Sequence, residues 1–499
     1  MKPNVLLITT DQQHANTIHS GGNSIIQTPN LDKLYANGVL FRRAYTANPV
    51  CSPSRATILT GEYPSRHGCW NIGVNLDPGR QFLSDLLRSQ GYRTALFGKS
   101  HFRPVGTKGE FESPPNIFDR NFWKSWHGPY YGFEHVQLVH GHADEDSAYG
   151  MHYGAWLWDQ GVDPRKYFGP DGGHREGVWN IPEDLHYTRW TADQTISFLH
   201  SDDTKPFFVW CSFQDPHNAF LCPEPWGTQY DPNDMSFNRR QNEMYDKTRL
   251  HRHLWDGTMH ELGLNFLADP DHETAGVQCL GLTSQNVPYN RERQWLASYY
   301  GMISLVDFHL GRIMQTLADT GKLDNTIVIF STDHGDYAGN HGLWLKGPIH
   351  YEDVIKVPFS VSWPGHTPKA QESQSLMSHV DLAPTLLEAC GFHIPASMQG
   401  ISQLHTWLNP QTLQRDWCLV ENRAESDLYV KTLVTPQFKL NYYLQWDEGE
   451  LYDLGKDPLE FNNLYNNPDY THVKISLLQK LISVSSEIEG PWAPRNSFA

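Results

Sequence analysis

Two pairs of adjacent polar residues each follow a short run of apolar residues. Asp11 and Gln12 form the first pair, and Asp333 and His334 form the second. A continuous apolar run of this length is typical of a buried parallel strand, so each pair is expected where a strand ends. Carboxylate and amide oxygens with one imidazole nitrogen suit Ca²⁺ or Mg²⁺ better than zinc. The pairs therefore predict a metal site, although an Asp in this position also serves as a helix N-cap.

The stretch NPVCSPSRATILTG at residues 48–61 places a cysteine in polar surroundings at the start of a helical pattern. Pro53 suits the first turn of a helix, because the missing N–H is not needed there. Cys51 is therefore expected at the helix N-terminus and outside a core, where the positive end of the helix dipole favours anionic chemistry. Arg55 lies one turn further along, on the same face. A helix cap with a chance cysteine remains the alternative.

Strand and helix patterns alternate along most of the chain. This alternation predicts an α/β fold in which helices cover both faces of a sheet. Ligands of such sheets bind at the carboxyl ends of the strands, so one crevice is expected to collect the polar residues. The predicted strands are residues 5–8, 206–213 and 326–330, and the predicted helices are residues 31–37, 82–90, 294–320 and 380–390.

Changes in residue composition and periodicity along the sequence predict two domains. Residues 1–410 are expected to form a catalytic domain. Within it, residues 103–290 are rich in Gly, His, Trp, Tyr and Pro and weak in helical periodicity, which predicts long insertions around the crevice. Residues 411–499 are expected to form a smaller α+β domain. Its predicted elements are antiparallel strands at residues 428–434 and 438–444, followed by residues 450–454, which lead to a helix near residues 473–488.

Composition and charge exclude several classes of protein. The 499 residues carry 39 Lys and Arg against 56 Asp and Glu, and the net charge of -17 argues against nucleic acid or an anionic membrane as a partner. Seven scattered cysteines without a CxxC pair form neither a disulfide framework nor a zinc ribbon. No 18-residue apolar stretch or signal-peptide core is present. The sequence predicts a cytoplasmic protein, or a periplasmic or secreted one if a leader has been removed.

Residues 51–68, CSPSRATILTGEYPSRHG, resemble the signature of the type I sulfatases, which belong to the alkaline phosphatase superfamily. The resemblance spans nearly the whole chain and is weakest in the middle insertions. It implies a large mixed, mostly parallel sheet between layers of helices, with a small C-terminal domain of antiparallel sheet and helix. The other matching segments are residues 4–11, 28–34, 91–101, 331–347, 357–365 and 451–458.

The resemblance implies an unusual nucleophile. In this family the cysteine that matches Cys51 is oxidised by a maturation enzyme to Cα-formylglycine, whose hydrated aldehyde attacks the substrate. Pro53 and Arg55 match the recognition signal for that enzyme. The resemblance thus implies that Cys51 is the residue that is oxidised to formylglycine.

The resemblance also implies a metal, normally Ca²⁺. Its ligands match Asp11, Gln12, Asp333 and His334, together with an oxygen of the modified Cys51. Two positions depart from the family, because Gln12 stands where Asp is commoner and His334 stands where Asn is commoner. Both side chains still offer a ligand atom, but they lower the negative charge of the site. Mg²⁺ and Mn²⁺ therefore remain alternatives to Ca²⁺.

Five further side chains match family residues that act on the sulfate ester. Arg55 and Lys99 would hold the formylglycine diol, and Lys346 would contact the sulfate. His217 would contact the sulfate and its ester oxygen and act as general acid for the leaving alcohol. His101 would help remove the diol proton, which expels sulfate and regenerates the aldehyde. The structural alternatives are a solvated loop Lys346, a turn His217, and a strand-end pair of Lys99 and His101.

The resemblance predicts hydrolysis of a sulfate monoester and leaves two alternatives. One is the phosphonate monoester and phosphodiester hydrolase branch of the superfamily, in which the positions matching Lys99 and His101 tend to be Tyr and Thr. The other is a non-catalytic relative that binds sulfated glycans, and the complete set of site residues argues against it. Homo-oligomer formation is left open.

Aromatic residues in the insertions indicate a sulfated carbohydrate as the substrate. Flat aromatic faces beside polar side chains suit sugar rings, whereas a lipid sulfate needs a continuous apolar groove. Packing of these tryptophans onto the body of the protein is the alternative. The residues concerned are 122–131 and 151–158, with Trp179, Trp190, Trp226 and Trp255.

Overall fold

The computed structural model describes residues 2–105, 107–143, 145–168, 176–262, 282–285, 287–425, 428–444 and 446–488. Cys279 and parts of the ranges 103–290 and 411–499 therefore lie outside the described residues. The other six cysteines are free and buried, which agrees with the absence of a disulfide pattern in the sequence. No helix of the described part is long and apolar enough to cross a lipid bilayer.

The strands of the described residues alternate with helices through the first four hundred residues. In chain order they are β1 (Asn4–Thr10), β2 (Val39–Tyr45), β3 (Arg93–Gly98), β4 (His135–Leu138), β5 (Glu176–Trp179), β6 (Phe207–Ser212), β7 (Phe220–Pro223), β8 (Leu282–Thr283), β9 (Thr326–Thr332), β10 (Leu343–Trp344), β11 (Lys356–Val357), β12 (Phe359–Ser362), β13 (Gln371–Ser378), β14 (Cys418–Glu425), β15 (Leu428–Val434), β16 (Phe438–Leu444) and β17 (Gly449–Asp453).

The α-helices of the described residues cover both faces of the main sheet, and the last one follows the small antiparallel sheet. In chain order they are α1 (Pro29–Ala36), α2 (Cys51–Thr60), α3 (Pro64–His67), α4 (Leu83–Ser89), α5 (Arg120–Ser125), α6 (Met151–Asp159), α7 (Tyr187–Leu199), α8 (Arg249–Asp256), α9 (Tyr289–Asp319), α10 (Glu352–Ile355), α11 (Leu382–Ala389), α12 (Leu404–Leu408) and α13 (Thr471–Ile488).

The main sheet has nine strands in the order β11-β2-β12-β9-β1-β6-β3-β4, with β13 also paired to β2. Strand β1 runs parallel to β9 and β6, and β3 runs parallel to β6 and β4. The antiparallel pairs all involve β11 or β12. The sheet is thus mixed and mostly parallel, which confirms the predicted fold class.

Each face of β1 packs against a different helical layer, because successive strand residues point to opposite sides. Leu6 and Ile8 share a buried cluster with Leu310 of α9. Val5 and Leu7 share another with Leu59 of α2 and with residues of α4 and α11. Both faces of the strand that precedes Asp11 are therefore buried and packed, so its carboxyl end is held in a fixed position.

A four-stranded antiparallel sheet, β14-β15-β16-β17, follows the main sheet in the chain. Its residues Leu433 and Leu440 pack with Leu481 and Val484 of α13. Its other face shares a buried cluster with Ile349 of the preceding part of the chain. Strands β15 and β16 have the bounds that the sequence predicts, residues 428–434 and 438–444.

The range 103–290 is more regular than its weak periodicity predicts. It contains strands β4 and β6 of the main sheet and helices α5 to α8. The helices are rich in buried aromatic and histidine residues, such as Tyr153 and His152 of α6 and Trp190 of α7. Their apolar faces are built from residues that a hydrophobicity pattern scores as ambiguous, which is why the helices were not predicted.

Candidate active site

Cys51 is the first residue of α2, as the sequence predicts, and Val50 precedes it in extended conformation. The Ser54 N–H donates to the Val50 carbonyl at 3.1 Å, so the first turn is closed around Pro53. The expectation that Cys51 lies outside a core is wrong, because its side chain is only 1% exposed and every residue of α2 is buried. The sulfur therefore lies in a closed site beneath the surface.

The strand ends bring the predicted residues together. Asp11 and Asp333 follow β1 and β9, which are paired in parallel up to their last residues, Thr10 and Thr332. Lys99 follows β3, and its N–H donates to the Ser212 carbonyl at the end of β6 at 2.9 Å. Parallel strands that end at one edge place their following residues in one layer.

Four side chains converge on one point. One donor atom from each of Asp11, Cys51, Asp333 and His334 lies within 4.8 Å of the others. The Cys51 Sγ is 3.2 Å from the His334 Nε2. The His334 Nδ1 is 2.8 Å from the Gly335 carbonyl oxygen, so Nδ1 carries the proton and Nε2 turns its lone pair toward the cluster.

Gln12 is held by a residue that the sequence analysis did not single out. Its Nε2 donates to the Asp336 Oδ2 at 2.6 Å, and its Oε1 accepts from the Lys346 Nζ at 2.8 Å. Asp336 is itself fixed, because its Oδ1 accepts the N–H groups of Ala338 at 2.7 Å and Leu345 at 3.0 Å. The amide of Gln12 is thus oriented with its oxygen toward the site, although its backbone is left-handed at φ 64.

The arrangement fits a divalent cation. Carboxylate oxygens from Asp11 and Asp333, the Gln12 oxygen and the His334 Nε2 form a set that is mostly hard oxygen. The buried Asp11 Oδ2 forms an ion pair with Lys99, and the Asp11 Oδ1 is 3.6 Å from the Cys51 Sγ, so Oδ1 faces the cluster. Two buried carboxylates in one cluster are costly unless cations compensate their charge. These four residues would hold the ion.

Three buried cations surround the same point on a chain whose net charge is -17. The Arg55 Nε donates to the Asp333 Oδ2 at 2.8 Å, and Lys99 forms an ion pair with Asp11. The Lys346 Nζ is 3.1 Å from the Cys51 Sγ. Arg55, Lys99 and Lys346, which the resemblance assigns to the diol and the sulfate, therefore lie together. Lys346 is no solvated loop residue, because it is fully buried.

His217 lies against Lys346, and a second histidine stacks on it. Its Nε2 is 2.9 Å from the Lys346 Nζ, and its Nδ1 is 2.5 Å from the Asn218 carbonyl oxygen. Burial lowers the pKa of His217 well below its ordinary value, and Lys346 lowers it further. The ring of His142 stacks on that of His217 at 3.7 Å, and its Nε2 is 3.3 Å from the Lys99 Nζ.

His101 is near these residues but shares no hydrogen bond with them. Its backbone is left-handed at φ 56, and among the described residues neither ring nitrogen has a hydrogen-bond partner. Burial lowers the pKa of His101 well below its ordinary value, and Lys99 adds to the effect. The ring packs edge-on against His140 at 4.9 Å. His101 is thus neutral, with two unused ring nitrogens.

Burial dominates the electrostatics of the site. It raises the pKa of the Cys51 thiol to about 11, and the neighbouring Asp11 raises it too. Burial would also raise the pKa of Asp11, but Lys99, His217 and Arg55 together bring it well below its ordinary value. An unmodified Cys51 is therefore a neutral thiol despite its place at a helix N-terminus.

Three of the eight tryptophans predicted to line the crevice are buried packing residues. Trp123, Trp179 and Trp190 are no more than 3% exposed and belong to the hydrophobic clusters. Trp226 and Trp255 are half-buried. Trp123, Trp179 and Trp190 therefore pack the insertions onto the body of the protein, as the alternative interpretation predicts.

All ten predicted site residues are buried, with at most 6% exposure. Sequence patterns locate the residues at the strand ends but not Asp336 or His142. The signals for those two were weak: an acid two residues beyond His334, and a His-Gly-His sequence at residues 140–142 in a chain with 26 histidines.

Comparison with known proteins gives two family matches. The family model described as "Sulfatase" matches residues 3–392, and the one described as "N-sulphoglucosamine sulphohydrolase, C-terminal" matches residues 339–487. An arylsulfatase of Clostridium perfringens is 29% identical over 519 residues, covering 98% of this chain and 95% of the relative. An N-acetylglucosamine-6-O-sulfatase of Bacteroides thetaiotaomicron is 26% identical, covering 96% and 86%. The crystal structure of a phosphonate monoester hydrolase of Agrobacterium radiobacter superposes with a TM-score of 0.77 at 25% identity, covering 97% of this chain and 96% of that one.

Proposed function

The chain belongs to the sulfatase family, whose members are enzymes, and on this premise we propose that it hydrolyses a sulfate monoester of a carbohydrate. The observation that carries the proposal is the convergence of the Cys51 sulfur with Asp11, Asp333 and His334 within 4.8 Å. Three buried cations beside this cluster provide for an anionic substrate.

Two groups would complete the site. Formylglycine made from Cys51 by a maturation enzyme would supply a hydrated aldehyde as the nucleophile. A divalent cation, which we take to be Ca²⁺, would polarise the sulfate oxygens when bound to Asp11, Gln12, Asp333 and His334. The raised pKa of the Cys51 thiol supports this assignment, because a buried neutral thiol is a poor nucleophile by itself.

The cations of the chain bind and orient the substrate. Lys346 lies 3.1 Å from the Cys51 sulfur, within reach of an anion held at that point. Arg55 and Lys99 are tied to Asp333 and Asp11, so they stabilise the charge of the site without having to move. Such fixed donors need little reorganisation when charge develops on the sulfate and on the departing oxygen.

Proton transfer to the leaving alcohol falls to Lys346 and His217. Lysine has donors only, so its ammonium donates to the His217 Nε2 across their 2.9 Å contact. The pair thus holds one proton between two basic atoms, and the departing oxygen takes that proton as the ester bond breaks. His101 is neutral and has two unused ring nitrogens, so it is the base that we assign to the release of sulfate.

A carbohydrate substrate is supported by relatives, not by the tryptophans. The Bacteroides thetaiotaomicron relative is named for N-acetylglucosamine 6-O-sulfate, and the C-terminal family model for N-sulphoglucosamine. A panel of sulfated monosaccharides and disaccharides, measured beside nitrophenyl sulfate, tests this part. Turnover of nitrophenyl sulfate with no desulfation of any saccharide would refute the carbohydrate assignment and leave the sulfatase assignment intact.

Hydrolysis of phosphonate monoesters is the second candidate function. The observation that favours it is the superposition on the Agrobacterium radiobacter enzyme. Lys99 and His101 favour the sulfatase function. Their side chains occupy the space that the second ester group of a phosphonate monoester or a phosphodiester would need. Lys99 is paired with Asp11 and packed near His142, so this side of the cluster is filled.

Matched aryl esters separate the two functions. We expect kcat/KM for 4-nitrophenyl sulfate to exceed that for 4-nitrophenyl phenylphosphonate and for bis(4-nitrophenyl) phosphate, all with protein co-produced with a maturation enzyme. The same leaving group in all three compounds removes differences in alcohol acidity. A preference for the phosphonate or the diester would move the protein to the second candidate.

A further inference from the structure

Three buried side chains with unused polar atoms form one cluster that includes His101. The other two members are His140 and Glu112, and the exposed fractions of the three residues are 6%, 1% and 0% in that order. Among the described residues, the two ring nitrogens of each histidine and the Glu112 Oε2 have no hydrogen-bond partner. Unpaired polar atoms are costly in a protein interior, so those that persist usually hold water or serve a catalytic role. Five of them in one cluster indicate a function.

The main sheet brings the two histidines together. Gly98, the last residue of β3, pairs in parallel with Leu138, the last residue of β4. His101 and His140 follow these strand ends closely, and their rings pack edge to face with centroids 4.9 Å apart. His140 therefore lies at the same edge of the sheet as the active site.

Glu112 continues this series of contacts. Its Oε2 is 3.9 Å from the His140 Nε2, which is too long for a hydrogen bond and leaves both atoms unpaired. Its Oε1 accepts from the Ser100 hydroxyl at 2.9 Å and from the Tyr130 hydroxyl. One oxygen of the carboxyl group is thus anchored, and the other faces His140.

Burial gives the three groups unequal affinities for a proton. It lowers the pKa of His101 well below its ordinary value and the pKa of His140 to about 3. It raises the pKa of Glu112 to about 8, although hydrogen bonding and nearby cations act against it. A proton on His101 is therefore more stable on the Glu112 carboxylate. The charged or titratable groups around Glu112 are Lys99, Arg103, Tyr130, Tyr131 and His140.

We propose that His140 and Glu112 are positioning residues that receive, through His101, the proton removed when sulfate is released. The proposal rests on the proposed function, in which His101 is the base for that step. The diol hydroxyl that carries no sulfate loses its proton to one ring nitrogen of His101, and its electron pair forms the aldehyde C=O bond. The C–O bond to sulfate breaks, and sulfate leaves with the electrons of that bond.

The proton then leaves the site along the cluster. His101 gives the proton on its other ring nitrogen to His140, and His140 gives one to the Glu112 carboxylate. Glu112 returns this proton to water before the next turnover. A weakly basic His101 can thus act as the base, because the proton does not stay on it.

Burst kinetics with 4-nitrophenyl sulfate test the proposal, on protein co-produced with a maturation enzyme. Glu112→Gln keeps the volume and the oxygen that Ser100 and Tyr130 contact, and it removes the proton acceptor. We expect its burst rate, which reports attack on sulfate, to stay within about twofold, and its steady-state rate to fall about tenfold or more, part of what a general base supplies. Mass spectrometry of the quenched variant is expected to find sulfate still attached to the peptide that contains residue 51.

The pH profile gives an independent measure. Only an ionised Glu112 accepts a proton, so the steady-state rate of the unsubstituted protein is expected to rise with pH through the pKa of Glu112, about 8. The Glu112→Gln profile is expected to lack this rise. An identical rise in both proteins would contradict the role of Glu112.

His140→Phe keeps the ring contact with His101 and removes both nitrogens. It is expected to show the same pattern as Glu112→Gln, and the double variant is expected to be no slower than the slower single variant, because the two residues act in series. Glu110→Gln, the same change at a partly exposed position, is the matched control and is expected to leave both phases unchanged.

Two results overturn the proposal: equal losses of burst and steady-state rate, or an unchanged steady-state rate in either Glu112→Gln or His140→Phe protein. A failure of the proposed function has a different signature. Unsubstituted protein with Cys51 fully converted would then show no turnover of 4-nitrophenyl sulfate at all.

Discussion

At the scale of single residues, the chemistry depends on which atom of a side chain faces the site. Gln12 is the clearest case, since its amide can present either an acceptor or a donor. Asp336 decides this, because its Oδ2 accepts a hydrogen bond from the Gln12 Nε2 at 2.6 Å. The residue types at Asp11, Gln12, Asp333 and His334 could be predicted from strand ends, but the role of Asp336 could not. It depends on a contact between residues 324 positions apart, which no local pattern contains.

Asp336→Asn is expected to weaken Ca²⁺ binding about tenfold, a usual effect of changing a group that orients a metal ligand. The Asn oxygen can still accept from Ala338 and Leu345, while its NH₂ group turns the Gln12 amide so that Nε2 faces the site. Calorimetric Ca²⁺ titration measures the change, with Asp324→Asn, at an exposed position, as the matched control. An unchanged Ca²⁺ affinity would show that Asp336 does not orient Gln12.

Lys346→Ala is expected to lower kcat/KM for 4-nitrophenyl sulfate about 100-fold or more, because it removes a fixed donor beside the reacting group. The fold is expected to persist, since the contacts of the lysine with Gln12, Cys51 and His217 belong to the polar site and not to a hydrophobic cluster. Steady-state kinetics and circular dichroism measure the two quantities. A folded variant that retains the unsubstituted kcat/KM contradicts the role given to this residue.

At the scale of elements, the strands and long helices were predictable because their apolar patterns are regular. Strands β15 and β16 match their predicted bounds, and α9 lies within a few residues of its predicted range. Helices α6 and α7 were not predicted, because buried Tyr, Trp and His residues form much of their packing faces. The same ambiguity led to the wrong prediction for Trp123, Trp179 and Trp190, since a sequence does not show which way an aromatic ring points.

Strand β3 positions Lys99 through a glycine. Gly98 has φ +99, and a Cβ there would lie 1.9 Å from the Ser212 carbonyl oxygen. Gly98→Ala is therefore expected to lower the free energy of unfolding by about 2 kcal/mol or more and to displace Lys99, which lowers activity. Urea denaturation and kinetics measure these effects.

Gly91→Ala is the matched control for that substitution. Gly91 has φ +88, but a Cβ there meets no atom within 4 Å. It therefore adds only the left-handed backbone strain, about 1 kcal/mol, and leaves activity unchanged. Equal destabilisation by the two substitutions would mean that the contact with Ser212 has no effect.

At the scale of the whole molecule, charge is distributed unevenly. The chain has a net charge of -17, yet Arg55, Lys99 and Lys346 are buried together around the carboxylates at the strand ends. The net charge could be read from the sequence, where it argues against nucleic acid as a partner. The place where the buried cations meet could not be read from the sequence. Lys99 and Lys346 are 247 positions apart and come together only through the order of the strands.

Ca²⁺ is expected to stabilise the whole fold through this cluster. At a free concentration one hundred times Kd, the added free energy of unfolding is about 2.7 kcal/mol, so chelation by EDTA lowers Tm by a few degrees. Scanning calorimetry with and without Ca²⁺ measures the shift. Asp333→Ala protein is expected to show no shift, and an equal shift in that variant would place the ion elsewhere.

Mass spectrometry of the peptide that contains Cys51, combined with kinetics on the same samples, tests the central claim most directly. Protein is produced with increasing amounts of a maturation enzyme, and Cys51→Ala protein is the control. We predict that kcat for 4-nitrophenyl sulfate rises in proportion to the fraction of Cys51 converted to formylglycine, and that the control is inactive but folded. Full activity with Cys51 entirely in the thiol form, or in the Cys51→Ala protein, would contradict the account.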